Sequence, residues 1–183
     1  KAFAPVDNRI DLVTVGDGYT AAQLALYGTH ATNSINAFLA QEPFNRYRNF
    51  YRVTQVNVTS VDSGVDNDPT QGIQRNTAMD MAFWCNGIER LLCVNVTKAY
   101  QFANAGAPDV DQVLAVANST KYGGAGYPSS DLGTLAGGNS SAAEIAIHEF
   151  GHSLGNLADE YGYADGATYT GGENNTVDSS SLA

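Results

Sequence analysis

The segment His148-Glu149-Phe150-Gly151-His152 constrains this chain more than any other. On an α-helix, residues four apart sit one turn apart on one face, so both imidazoles can reach a single ion. Glu149 lies about 100° round the helix from His148, within reach of a water on that ion. Imidazole nitrogens around a site with one open position suit zinc, and a carboxylate beside such a water can take its proton. The fold must therefore supply a helix here, with an apolar back and a polar front. Ser141-Ala142-Ala143-Glu144 has capping-box spacing and predicts where that helix opens. Ala143, Ile147, Phe150 and Leu154 fall in a sector roughly opposite the histidines and are its expected back. Two histidines on a solvated face would not require that segregation.

A catalytic zinc needs three protein ligands. The chain has three histidines, and the third, His30, falls in an earlier helical segment, where a surface or half-buried role is expected. A carboxylate is then the expected third ligand, and Asp159-Glu160 stands downstream. On an unbroken helix Asp159 would lie about 16 Å along the axis from His148, too far to share an ion. Gly155-Asn156 is a good helix stop, and a turn there would return an acid to the metal. Asp159 is favoured over Glu160 because it is shorter and stiffer, leaving its neighbour as an outer partner to a ligating histidine.

The rest of the chain reads as a sheet with helices packed on it. Ile10–Val15 predicts a buried strand ending in Gly16-Asp17-Gly18. Thr20-Ala21-Ala22-Gln23 predicts a helix start, and the helix should run to about Ala40 with Ala22, Leu26, Ile35 and Leu39 inward. Phe50–Val58 alternates as a second strand, 62–76 reads as an exposed loop, and Thr77 to about Leu92 looks helical. A further helix is expected over 97–105, a third strand over Gln112–Ala117, and a Gly/Ser/Tyr loop over 119–138. No linker divides these segments, so one domain over 1–183 is the default.

Composition narrows the function. Nine basic residues against nineteen acidic give a net charge of −10, which argues against nucleic acid or an anionic membrane as partner. No apolar run is long enough to span a bilayer. The abundance of Gly, Ser, Thr, Asn and Tyr with little charge suggests a secreted protein, and a bridge between Cys85 and Cys93 would fit that compartment, two buried thiols being the alternative. Sequon matches at Asn57, Asn95, Asn118, Asn139 and Asn174 are expected by chance in such a chain. Asp62, Asp66 and Asp68 raise calcium as a second cation, although they miss the EF-hand pattern. Gly16-x-Gly18-x-x-Ala21 imitates a dinucleotide fingerprint, but its acidic partner is misplaced at Glu42. No nucleophile elbow of a serine hydrolase is present.

His148–Ser153 followed by Leu157-Ala158-Asp159-Glu160-Tyr161 resembles the IgA-peptidase family of secreted bacterial zinc metallopeptidases, whose fold is similar to the metzincins. Val15–Thr20, Glu42-Pro43-Phe44, Ser60–Gly64, Asn76-Thr77-Ala78, and Asn118-Ser119 with Tyr122-Gly123-Gly124 resemble family segments in family order, over about residues 9–175. The resemblance implies a zincin-like α/β (α+β) fold: a twisted mixed sheet with packed helices and an active-site helix. It implies that His148, His152 and Asp159 hold one zinc and that Glu149 is the catalytic base of a metalloendopeptidase. Two departures stand out. Ala158 occupies the position of a metzincin's third ligand, and both methionines, Met79 and Met81, lie upstream where a Met-turn would lie downstream. The domain is therefore expected to be truncated at its C-terminal end.

Protein or peptide substrates and a monomeric state are expected. Tyr122, Gly123 and Gly124 are candidates to line the substrate, the glycines by allowing close backbone approach. Tyr161 or Tyr163 is a candidate donor to the reacting carbonyl oxygen. A zinc-stabilised binding module without hydrolytic activity is the alternative.

Overall fold

The computed structural model describes residues 8–107, 109–157 and 159. Five strands form one mixed sheet: β1 (Ile10–Asp17), β2 (Tyr51–Val56), β3 (Gln112–Ala117), β4 (Gly124–Tyr127) and β5 (Leu132–Ala136), in the order β2-β1-β3-β5-β4. All neighbours are parallel except β4, which runs antiparallel to β5 at one edge. The three long helices are α1 (Leu24–Ala40), α2 (Val96–Gly106) and α3 (Ala142–Ser153). No described helix is long and apolar enough to cross a membrane.

Strand alternation divides the core in two. Leu12, Leu114, Val116 and Leu135 point to the face covered by α1 and α3. Val13, Val15, Val113, Ala115 and Leu132 point to the face covered by α2 and the long connection before it. Central strands β1 and β3 are buried on both faces, which is why they read as continuous apolar runs.

Several expectations need correction. Helix α1 buries Tyr27, Ala31, Ser34, Ile35 and Phe38, while Ala22 and Leu26 are exposed. The helix opens with a 3-10 turn over Ala21–Gln23, which shifts the inward face away from the one counted from Thr20. The capping interaction itself is present: Thr20 N–H donates to Gln23 Oε1 at 3.1 Å.

Residues 77–92 are not a helix. Their one helical turn is a 3-10 turn over Cys85–Gly87, and Asp80, Trp84 and Asn86 have positive φ. Tertiary contacts override local preference here. The fully buried Asp17 carboxylate accepts the N–H of Met79 at 3.0 Å and of Met81 at 2.9 Å, and the hydroxyl of Ser60 at 3.0 Å. Those N–H groups are thus drawn out of any helical ladder. Cys85 and Cys93 form a disulfide. The loop 62–76 is also not wholly exposed, since Val65 is buried in the core.

The stretch 119–138 is not a loop either, because it contains β4 and β5. Its glycines are contact points for α3. A Cβ at Gly124 would lie 2.6 Å from Ile145 Cγ2 and 2.9 Å from Glu149 Oε1, and one at Gly126 would lie 2.7 Å from His152 Cβ. Only glycine lets the edge strand approach the helix this closely.

Candidate metal centre

Helix α3 carries His148, Glu149 and His152. Its buried residues are Ala142, Ile145, Ala146, Glu149, Phe150 and Ser153, so of the expected back only Phe150 is fully buried; Leu154 packs in part, and Ala143 and Ile147 are half-buried. The face was misjudged because Glu149 itself points inward, toward the glycines of β4. The Ser141 side chain makes no capping bond, so the expected box at the start of α3 does not form; Asn139 Oδ1 instead accepts the Ser141 N–H at 2.9 Å. From the sheet side, Gln112 Nε2 donates to Ser153 Oγ at 2.9 Å, and that hydroxyl donates to the Glu149 carbonyl at 2.8 Å. This buried pair ties α3 to β3 and fixes the helix against the sheet.

The helix ends in a left-handed (αL) C-terminal turn. Leu157 N–H donates to the Gly151 carbonyl at 3.0 Å and Asn156 N–H to the His152 carbonyl at 3.1 Å. Asn156, rather than Gly155, takes the left-handed conformation, with φ of 52°. The chain reverses there and returns Asp159 to the histidines. His148 Nε2 and His152 Nε2 are 3.1 Å apart, and Asp159 Oδ1 is 3.4 Å from the first and 3.2 Å from the second.

That triangle suits zinc. Ligand atoms about 2.0–2.1 Å from a tetrahedral ion are about 3.3 Å from one another. Three such atoms define one face of the tetrahedron and leave its fourth corner for another ligand. The tautomer of His152 also fits. Its Nδ1 lies 2.7 Å from the Leu157 carbonyl, an acceptor only, so Nδ1 carries the proton and Nε2 keeps its lone pair. These three residues are the one such group of His, Cys, Asp and Glu within mutual ligand distance among the described residues. Asp62 and Asp66 are occupied otherwise, accepting the backbone N–H of Asn76 and Arg75. His30 is remote from the group; its Nδ1 meets the Tyr19 hydroxyl at 2.8 Å.

Glu149 is 7% exposed. Burial pushes its carboxyl up to about 7, opposed by the positive fields of His152 and Arg90 and aided by Asp159. Burial, then neighbouring His152, lowers the proton affinity of His148. The Glu149 shift has a consequence for the metal-free protein. A carboxyl raised from its ordinary 4.5 to about 7 favours folding while protonated, and that contribution is lost as pH rises through the interval. Between pH 5 and 8, metal-free wild type should lose roughly 2–3 kcal/mol more stability than Glu149→Gln in urea unfolding. A wild type that gains on the variant over that range would mean the carboxylate is stabilised instead.

The other candidates are distributed unevenly. Tyr122 is 54% exposed and lines a cavity of about 550 Å³ beside His148 and Glu149. Gly123 is buried, and a Cβ there would strike the Arg90 carbonyl at 2.4 Å; its own carbonyl accepts the Ala136 N–H. The outward groups of Gly124 are already paired, its N–H with the Arg90 carbonyl and its carbonyl with the Leu92 N–H. Glu160, Tyr161 and Tyr163 lie outside the described residues. Arg90, Gln112, Ser153 and the Leu157 carbonyl went unnoticed in the sequence.

No curated protein matches the chain. Residues 2–176, nearly its whole length, match the family described as IgA Peptidase M64. The chain therefore belongs to the IgA Peptidase M64 family, a family of peptidases acting on protein or peptide substrates.

Proposed function

We propose that the chain is a zinc-dependent metalloendopeptidase with a zincin-like fold, in which His148, His152 and Asp159 hold one zinc ion and Glu149 is the general base. The observation that carries this reading is the 3.1–3.4 Å triangle of ligand atoms beside a buried, proton-accepting carboxyl. Zinc, when bound, acidifies water and polarises a carbonyl group. Glu149 takes a proton from the attacking water and delivers one to the departing amine. A buried carboxyl beside the three ligand residues is placed for both transfers.

The antiparallel edge strand β4 is the proposed seat of the substrate. Along the β4–β5 ladder, Gly124 and Gly126 turn their N–H and carbonyl groups away from β5. Those of Gly124 are taken by 90–92, whereas Gly126 lines a cavity of about 360 Å³ next to His152. An extended peptide adding to the edge at Gly126 would be carried past Glu149. The Cys85–Cys93 bridge supports a secreted enzyme. The alternative, a zinc-stabilised binding module, leaves the burial of an intact Glu149 in the cleft without a purpose.

Casein digestion tests the choice. Cleavage is expected to stop on adding a chelator and to resume when zinc is returned. Stoichiometric zinc with casein surviving at every pH tried would favour the binding module.

A further inference from the structure

We propose that Arg90 is a further catalytic residue, donating from its guanidinium to the scissile carbonyl oxygen as that oxygen gains negative charge. The inference rests on the peptidase reading above and deepens it. Two cavities, of about 550 and 360 Å³, flank the candidate centre. Among the described residues, only Arg90, His148 and Glu149 line both. A peptide passing through the two cavities is therefore nearest these three side chains at its midpoint, where the cut bond belongs. Among the described residues, Arg90 is the one Lys or Arg lining either cavity, in a chain with nineteen acidic residues and nine basic ones.

The backbone of Arg90 is held in place. Its carbonyl accepts the Gly124 N–H at 3.2 Å, and two residues on, Leu92 N–H donates to the Gly124 carbonyl at 3.4 Å. The absent Cβ of Gly123 admits this close approach, and the Cys85–Cys93 disulfide closes the loop that carries it. The side chain thus leaves from a backbone held against the edge strand β4, at the border of the cleft.

The chemistry calls for such a group. Water adds to the carbonyl carbon: a C–O bond forms, the π pair moves onto the carbonyl oxygen, and the water proton goes to Glu149. Collapse restores the C=O bond, breaks C–N and sends that proton to the amine. Arg90 keeps its own protons throughout. A permanently charged, planar fork of N–H donors binds the oxygen more strongly when it is anionic than when it is a neutral carbonyl, so the interaction lowers the barrier and not merely KM.

The test uses zinc-loaded protein, a fluorogenic peptide, and a phosphinic peptide that mimics the tetrahedral, anionic state. Arg90→Gln is expected to lower kcat by roughly 10²–10³-fold with KM changed only a few-fold. It should weaken the phosphinic peptide by a similar factor in calorimetry, with zinc content and unfolding midpoint retained. Arg90→Lys, which keeps the charge, should recover part of both losses and serves if the glutamine variant does not fold. An unchanged kcat and phosphinic affinity would overturn the proposal. So would a loss confined to KM for acidic peptides, which would make Arg90 a reader of substrate carboxylates, or a loss that follows zinc content or unfolding. Wild type that neither holds zinc nor cleaves peptide would overturn the peptidase reading together with this one; active wild type with unaffected Arg90 variants overturns this one alone.

Discussion

Glu149→Gln is expected to lower the turnover number by roughly 10²–10⁴-fold while one zinc per chain remains bound. Gln has the same shape and fits the space left by Gly124, Gly126 and Gly133, each of which brings backbone against Glu149. Packing of α3 should therefore survive. What the amide cannot do is accept a proton from water or pass one to the amine. The result separates chemistry from assembly, because Glu149 is not one of the three converging ligand residues. Steady-state kinetics on a peptide, beside elemental analysis, reads both quantities. A variant with full activity would remove Glu149 from the mechanism, and one that loses its zinc would make it a structural support of the site.

Asp159→Ala is expected to weaken zinc binding by more than the roughly 10–100-fold that loss of an outer partner costs. Its Oδ1 completes the triangle with the two Nε2 atoms, and no other side chain among the described residues stands in that position. Without it two imidazoles on one helical turn remain, a pair that leaves half of a tetrahedral shell unfilled. Glu160→Ala should cost far less. Competition against a chromophoric chelator gives both affinities on one scale. Equal losses, or the reverse order, would reassign the third ligand.

Much of this site is legible in the sequence because local geometry decides it. The spacing of His148 and His152 survives any packing of the helix, and a left-handed residue at Gly155-Asn156 is enough to bring an acid back. Strand β3 was recognisable with its bounds, since six consecutive buried residues leave one interpretation. Elements fixed by distant partners were not. Residues 77–92 have helical composition, yet Asp17, more than sixty positions away, claims two of their N–H groups, and a disulfide bends the rest. Glycines in 119–138 imitate a loop, when their purpose is to bring a strand against Glu149 and His152. Arg90 has no local signal at all: a single arginine in an irregular segment acquires meaning only when Gly124 pairs with its backbone beside the cleft.

The central claim is that two imidazoles and a carboxylate share one ion. Anomalous diffraction at the zinc edge, from crystals grown with zinc, tests it most directly. A single peak is expected about 2 Å from His148 Nε2, His152 Nε2 and Asp159 Oδ1. A peak elsewhere, or none beside these three atoms while the protein retains its fold, would contradict the account.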